Sequence, residues 1–174
     1  MLDEVDLGRK SYAGRAWVDA YDRLARADAA APLPADDLLR LAQSAFMLGR
    51  MEDFLQLVER THNAYLDEGD VLAATRCTFY LGVNLAIRGE LARASGWFGR
   101  GQRLVERHGE DCAERGYLQL PVAMGQLEAG QYAEAEAAAA SAVECAERFR
   151  DPDLFESQYQ SLLREVENIR LELT

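Results

Sequence analysis

Apolar residues recur along this chain at three- and four-residue spacing, and short breaks interrupt them at a near-regular period. Four of the breaks are alike. Arg15, Gly49, Gly89 and Gly130 are each followed two residues on by Trp17, Met51, Leu91 or Tyr132. Three residues further stands Ala20, Phe54, Ala94 or Ala135. The breaks lie 34, 40 and 41 residues apart, the period of helix-pair repeats. The pattern predicts a helix ending at Gly14, then helices over 16–30, from Pro34 to Gly49, and over 51–66, 71–88, 90–108, 112–129 and 131–150. A ninth helix is expected from the Asp151-Pro152 cap to the C-terminus. Asp70 is expected to cap the fifth helix, and Pro34 with Asp36 and Asp37 to open the third. No run alternates apolar and polar residues between turn signals, so no strand is expected. The fold class is all-α, with about four antiparallel helix pairs plus a C-terminal helix. Residues 1–151 form the repeat module and 152–174 a capping or heptad-patterned helix.

The first unit fits the tetratricopeptide (TPR) pattern: Leu7-Gly8 on its first helix, then Trp17, Ala20, Leu24, Ala27 and Pro32. The third repeats it with Leu81-Gly82, Leu91, Ala94 and Phe98, and the second and fourth are looser. Small residues let helices approach while large ones fill the holes opposite. A glycine inside a helix costs about 1 kcal/mol relative to alanine, so Gly8 and Gly82 imply tight packing within the pairs. The expected fold is therefore a TPR-like α-solenoid. A closed bundle, with Trp17, Leu91 and Tyr132 meeting in one interior, would contradict it.

Four phrases carry a family resemblance: Arg15-Ala16-Trp17-x-x-Ala20-Tyr21, Leu48-Gly49-Arg50-x-Glu52-Asp53, Arg88-Gly89-Glu90-Leu91-Ala92-Arg93-Ala94, and Glu114-Arg115-Gly116-Tyr117-Leu118-x-Leu120-Pro121-Val122. Over about Gly8 to Leu154 the chain resembles the TPR-like helical region of actinobacterial LuxR-type transcription regulators. The resemblance implies a sensing or protein-interaction region. In that family a separate helix-turn-helix domain binds DNA; no such motif stands in this sequence, so DNA binding is not carried over. From about Phe155 the pattern departs from the family. Phe155, Tyr159, Leu162, Val166, Ile169 and Leu173 form a heptad seam, read as a candidate association surface on a foreign or engineered C-terminal helix.

Composition narrows the function. A hydrophobic fraction of 49% over 174 residues supports a continuous core. The net charge of −11 argues against direct nucleic-acid binding. No apolar run spans a bilayer and no secretory leader opens the chain, so the expected setting is cytoplasmic, without a membrane partner. The three cysteines, Cys77, Cys112 and Cys145, are too widely spaced for a zinc ribbon and read as small apolar residues.

The catalytic search yields no catalytic, cofactor or metal residues, and the expectation is a chain that is not an enzyme. His62 and His108 have no metal-ligand spacing; His108 suits a helix C-terminus. Ser44, Ser95 and Ser141 fall inside predicted helices. Glu134 and Glu136 point apart. Gly96, Gly99 and Gly101 mark a close helix crossing or a weak helix. Pro121 is expected to kink the seventh helix; such a kink can open a small pocket near Tyr117 or simply bend a structural helix, and the second is the favoured reading.

Candidate surfaces are more definite. The repeat frame brings Arg9, Tyr12, Gln43, Phe46, Met47, Arg76, Phe79, Tyr80, Val83, Tyr117, Leu120 and Met124 to the concave face of the stack. Aromatics, Met and Arg dominate binding hot spots, and an amphipathic helix or extended peptide fits such a groove. The competing reading packs several of them between neighbouring helices. Arg93, Arg100, Arg103 and Arg107 share one side of the sixth helix as a basic stripe. It is read as a site for an acidic partner, as a site for the acidic C-terminal part of another copy, or as paired locally with Glu90, Glu106 and Glu110. Three functions follow: a non-catalytic protein- or peptide-binding scaffold, part of a larger regulator; the effector-sensing region of a LuxR-type regulator; or an element that self-associates through its last helix.

Overall fold

The computed structural model describes residues 3–150, and these are α-helical with no strand among them. The helices are α1 (Glu4–Ala13), α2 (Trp17–Ala30), α3 (Ala35–Met47), α4 (Met51–Glu68), α5 (Val71–Ile87), α6 (Leu91–His108), α7 (Ala113–Glu128) and α8 (Tyr132–Phe149). The fold is all-α and TPR-like. The expected C-terminal helix and its seam, Phe155 to Leu173, lie outside the described residues. The chain divides into two compact units, Met1–Asn84 and Leu85–Thr174.

The four sequence breaks are one structural device repeated. Arg15, Gly49, Gly89 and Gly130 all take a left-handed conformation, with φ of 56°, 72°, 78° and 74°. The amide of the next residue reaches back five positions: Ala16 to Ser11, Arg50 to Ala45, Glu90 to Leu85 and Gln131 to Gln126, at 2.8–2.9 Å. The left-handed residue itself donates three positions back, as in a Schellman turn. The second and fourth turns, loose in sequence, are as regular as the others. Asp70 caps α5 through a bond from the Ala73 amide at 2.9 Å, and Asp3 caps α1 through Asp6 at 2.8 Å.

The residue five positions after each turn is buried: alanine at Ala20, Ala94 and Ala135, and Phe54 in the second turn. In the first unit α1 packs on α2, α2 on α3 and α3 on α4, and α1 also meets α3. A Cβ added at Gly8 would sit 2.7 Å from Leu24 Cγ, so the absence of a side chain there lets α1 and α2 meet. Buried bonds reinforce the stack. His62 Nδ1 lies 2.8 Å from the Ala74 carbonyl, joining α4 to α5, and Tyr65 donates to Asp36 at 2.7 Å. Across alternate helices, Tyr21 donates to Asp53 at 2.9 Å and Arg60 holds Asp28 with two bonds, at 2.7 and 2.9 Å. First helix therefore meets first helix, and second helix is bridged to second, as stacking of repeats requires.

In the second unit α7 lies against α6 and α8. The buried side of α8 is Ala135, Ala138, Ala139, Ala142 and Ala146, a face without bulk against which a neighbour can lie close. Leu91 corrects the sequence frame. It is 66% exposed at the first position of α6 and fills no hole; Tyr132, the first residue of α8, is also exposed. Neither side chain sits in a packed interior of its unit. The close-crossing reading of Gly96 and Gly99 is also corrected. A Cβ at Gly96 would meet nothing within 4 Å, and one at Gly99 only the Arg103 guanidinium at 3.5 Å. Pro121 sits inside α7, which continues to Glu128.

Candidate functional site

The candidate face of the first unit is built on α1, α3 and α5. Its anchor is Asp37, in the first turn of α3 with its carboxylate turned into the protein. Arg9 of α1 donates to it through Nε at 2.9 Å and Nη2 at 2.6 Å, a two-pronged grip, and Arg40 adds a third bond at 2.8 Å. Burial alone would raise the Asp37 pKa. The hydrogen bonds and charges of Arg9 and Arg40 outweigh burial and hold it below the usual carboxylate range. One turn along, the Tyr12 hydroxyl donates to the Gln43 side-chain carbonyl, and the Tyr12 ring meets Trp17 edge-on at 5.5 Å. Arg9, Tyr12 and Gln43 are thus fixed in place.

Phe46 and Met47 follow on the last turn of α3, 45% and 53% exposed. The Phe46 ring leans on buried Phe54 at 5.1 Å, so it is held while its outer side meets water. On α5, Arg76, Tyr80 and Val83 are half-buried at spacings of four and three, one face of a helix. Phe79 is a correction. It is 6% exposed, turned inward with its ring against Tyr80 at 5.9 Å. In the second unit Tyr117 and Leu120 are also corrections: both are core residues of α7, and only Met124 of that trio is exposed. For these three the packing reading holds.

Asp37 was missed, although the signal was present. It stands four positions before Leu41 and eight before Ala45, an acid in the buried stripe of its helix. An acid so placed calls for a cationic partner.

The second unit contains a polar cavity of about 300 Å³ lined by Gln102, Arg115, Gln119, Glu144, Cys145 and Arg148, among others. Tyr117 is buried and does not line it. Arg148 pairs with Asp111 and, at 2.7 Å, with Glu144. Among the described residues no group of three or more His, Cys, Asp or Glu is placed to hold a metal ion. Ser44 donates to the Arg40 carbonyl at 2.8 Å within its own helix. All three cysteines are buried.

Of the basic stripe, Arg93 is held by Glu90 at 2.5 Å, as the local reading had it. The other expected partners are engaged elsewhere. Glu106 accepts from Gln102 at 3.1 Å and Glu110 faces His108 at 3.9 Å. Arg100 stacks over Trp97 at 5.3 Å.

No family model matches the sequence, and no curated protein matches it. Similar solved structures exist. One is the apo form of RapI, with a TM-score of 0.72 and 14% identity over 97% of this chain and 48% of that one. Another is the Rap conjugation gene regulator of the plasmid pLS20 in complex with the Phr* peptide, with a TM-score of 0.60 and 14% identity over 98% and 52%. This chain spans about half the length of those structures. The likeness is one of fold, a TPR-like helical repeat. No described helix is long and apolar enough to cross a membrane.

Proposed function

We propose that this protein is a non-catalytic helical-repeat scaffold that binds a peptide on the α1–α3–α5 face of its first unit. The observation that carries this reading is the pair Phe46 and Met47, exposed at the end of α3 beside side chains that are already fixed. A rigid polar frame next to two exposed apolar anchors suits an amphipathic helix or an extended segment with bulky apolar residues. The peptide complex of the pLS20 regulator supports the class of ligand. The resemblance to LuxR-type regulators supports a finer reading, in which the chain is part of a larger cytoplasmic regulator.

The test is peptide display against the full chain, followed by anisotropy with the selected peptide. Burying an apolar side chain fully contributes about 1.5–3 kcal/mol, and these two are about half buried already. Phe46→Ala/Met47→Ala should therefore weaken binding by at least about ten-fold with an unchanged circular dichroism spectrum. Unchanged affinity in the folded double variant rejects the face. A second reading, a small-effector sensor, is favoured by the charged cavity at Arg115 and Arg148. A thermal-shift screen of small zwitterionic and anionic compounds tests it; no shift with any of them removes it.

A further inference from the structure

Among the described residues, a basic stripe on α6 is left largely unsatisfied by neighbouring acids. Arg100, Arg103 and Arg107 are exposed on α6 and share one side of it with Arg93. Among the described residues none of the three makes an ion pair, while Glu106 and Glu110 face Gln102 and His108. Arg100 and Arg103 stand three apart, Arg103 and Arg107 four apart, so each is the helical neighbour of a like charge and the isolated helix is destabilised. Gly96 lies between Arg93 and Arg100 on the same side, with open space where its Cβ would be. The helix backbone is therefore bare near the N-terminal end of the stripe.

We infer that this side of α6 docks an acidic helical segment of a partner protein. Three properties point to that occupant. From Arg93, itself held by Glu90, to Arg107 the stripe runs along the helix for about 20 Å, of which Arg100 to Arg107 cover about 10 Å, given a rise of 1.5 Å per residue. It matches carboxylates presented at three- and four-residue spacing on a second helix. The bare backbone at Gly96 lets that helix approach closely, and Arg100, propped on Trp97, is pre-set to face it. A nucleic acid would meet the same arginines, but the remainder of a chain of net charge −11 repels a long polyanion. This surface is separate from the peptide face of the first unit and does not depend on it.

The experiment uses the full chain and a fluorescein-labelled helical peptide of about 20 residues, with glutamates at alternating three- and four-residue spacing. Anisotropy at about 20 mM salt should show saturable binding that weakens steeply by about 300 mM. Arg100→Gln/Arg103→Gln/Arg107→Gln should lose at least about ten-fold in affinity. The corresponding triple lysine variant should retain most of the binding, and Phe46→Ala/Met47→Ala all of it. Circular dichroism on each variant confirms folding. No binding at low salt, or equal binding by the glutamine variant, overturns the inference. So does tighter binding of a labelled single-stranded oligonucleotide of equal charge. Low-salt self-association that the glutamine variant abolishes, with no peptide binding, assigns the stripe to a second copy and likewise overturns it.

Discussion

Replacing Gly8 with alanine tests the close approach of α1 and α2. A new Cβ would lie 2.7 Å from Leu24 Cγ and 2.8 Å from Leu24 Cδ2, against an optimal carbon–carbon contact of about 3.5–4.0 Å. Leu24 is fully buried and cannot swing into solvent. Overpacking of this kind costs about 1–3 kcal/mol. The alanine recovers about 1 kcal/mol of helix propensity, leaving a net loss of roughly 0–2 kcal/mol. Gly96→Ala is the matched control, also inside a helix but with nothing within 4 Å, and should gain about 0.5–1 kcal/mol. Urea denaturation followed by far-ultraviolet circular dichroism reads both. With an m-value of about 2 kcal/mol/M, the midpoint should fall by up to about 1 M for Gly8→Ala and rise by about 0.3–0.5 M for Gly96→Ala. A Gly8→Ala midpoint that rises like the control would refute the packing argument.

Asp37→Asn removes the charge that two arginines grip and should cost about 2–3 kcal/mol by urea denaturation, because both guanidinia reach water and are not stranded. Since the folded-state pKa of Asp37 is depressed, its stabilisation is complete above the unfolded carboxylate value near 4 and is lost as pH falls toward the folded value. A stability profile from pH 7 to pH 2 should therefore show a shallower acid limb for Asp37→Asn than for the parent. Arg15→Gly should raise the unfolding free energy by about 0.5–1 kcal/mol, a strain relief of about 1–2 kcal/mol less the added chain entropy of glycine; a lower melting temperature would contradict this. Burial pushes the Cys77 thiol up to about 12, so a disulfide reagent at pH 8 should label it only at the rate of unfolding.

The fold was legible because its punctuation is chemical. A left-handed turn residue with a buried apolar residue five positions on recurs four times; only Arg15 departs from glycine and only Phe54 from alanine. What the sequence hid were differences of a single helical position. Phe79 and Tyr80 are adjacent aromatics; a rotation of 100° puts one in the core and leaves the other at the surface. Tyr117 and Leu120 followed the same frame into the core. Leu91 and Trp17 are both the first residue of their helix, yet Leu91 is largely exposed where Trp17 is half-buried against the Tyr12 ring. The Asp37–Arg9 pairing joins residues 28 positions apart, which only the stacking of α3 on α1 brings together.

Methyl-labelled methionine spectra offer the most direct test of the peptide-binding face. The chain has four methionines, Met1, Met47, Met51 and Met124, so the signals assign readily by substitution. On titration with a display-selected peptide, the Met47 methyl should show the largest shift and saturate with the binding isotherm. A Met47 signal unmoved at saturation, while the peptide is demonstrably bound, would place the ligand elsewhere and contradict the account.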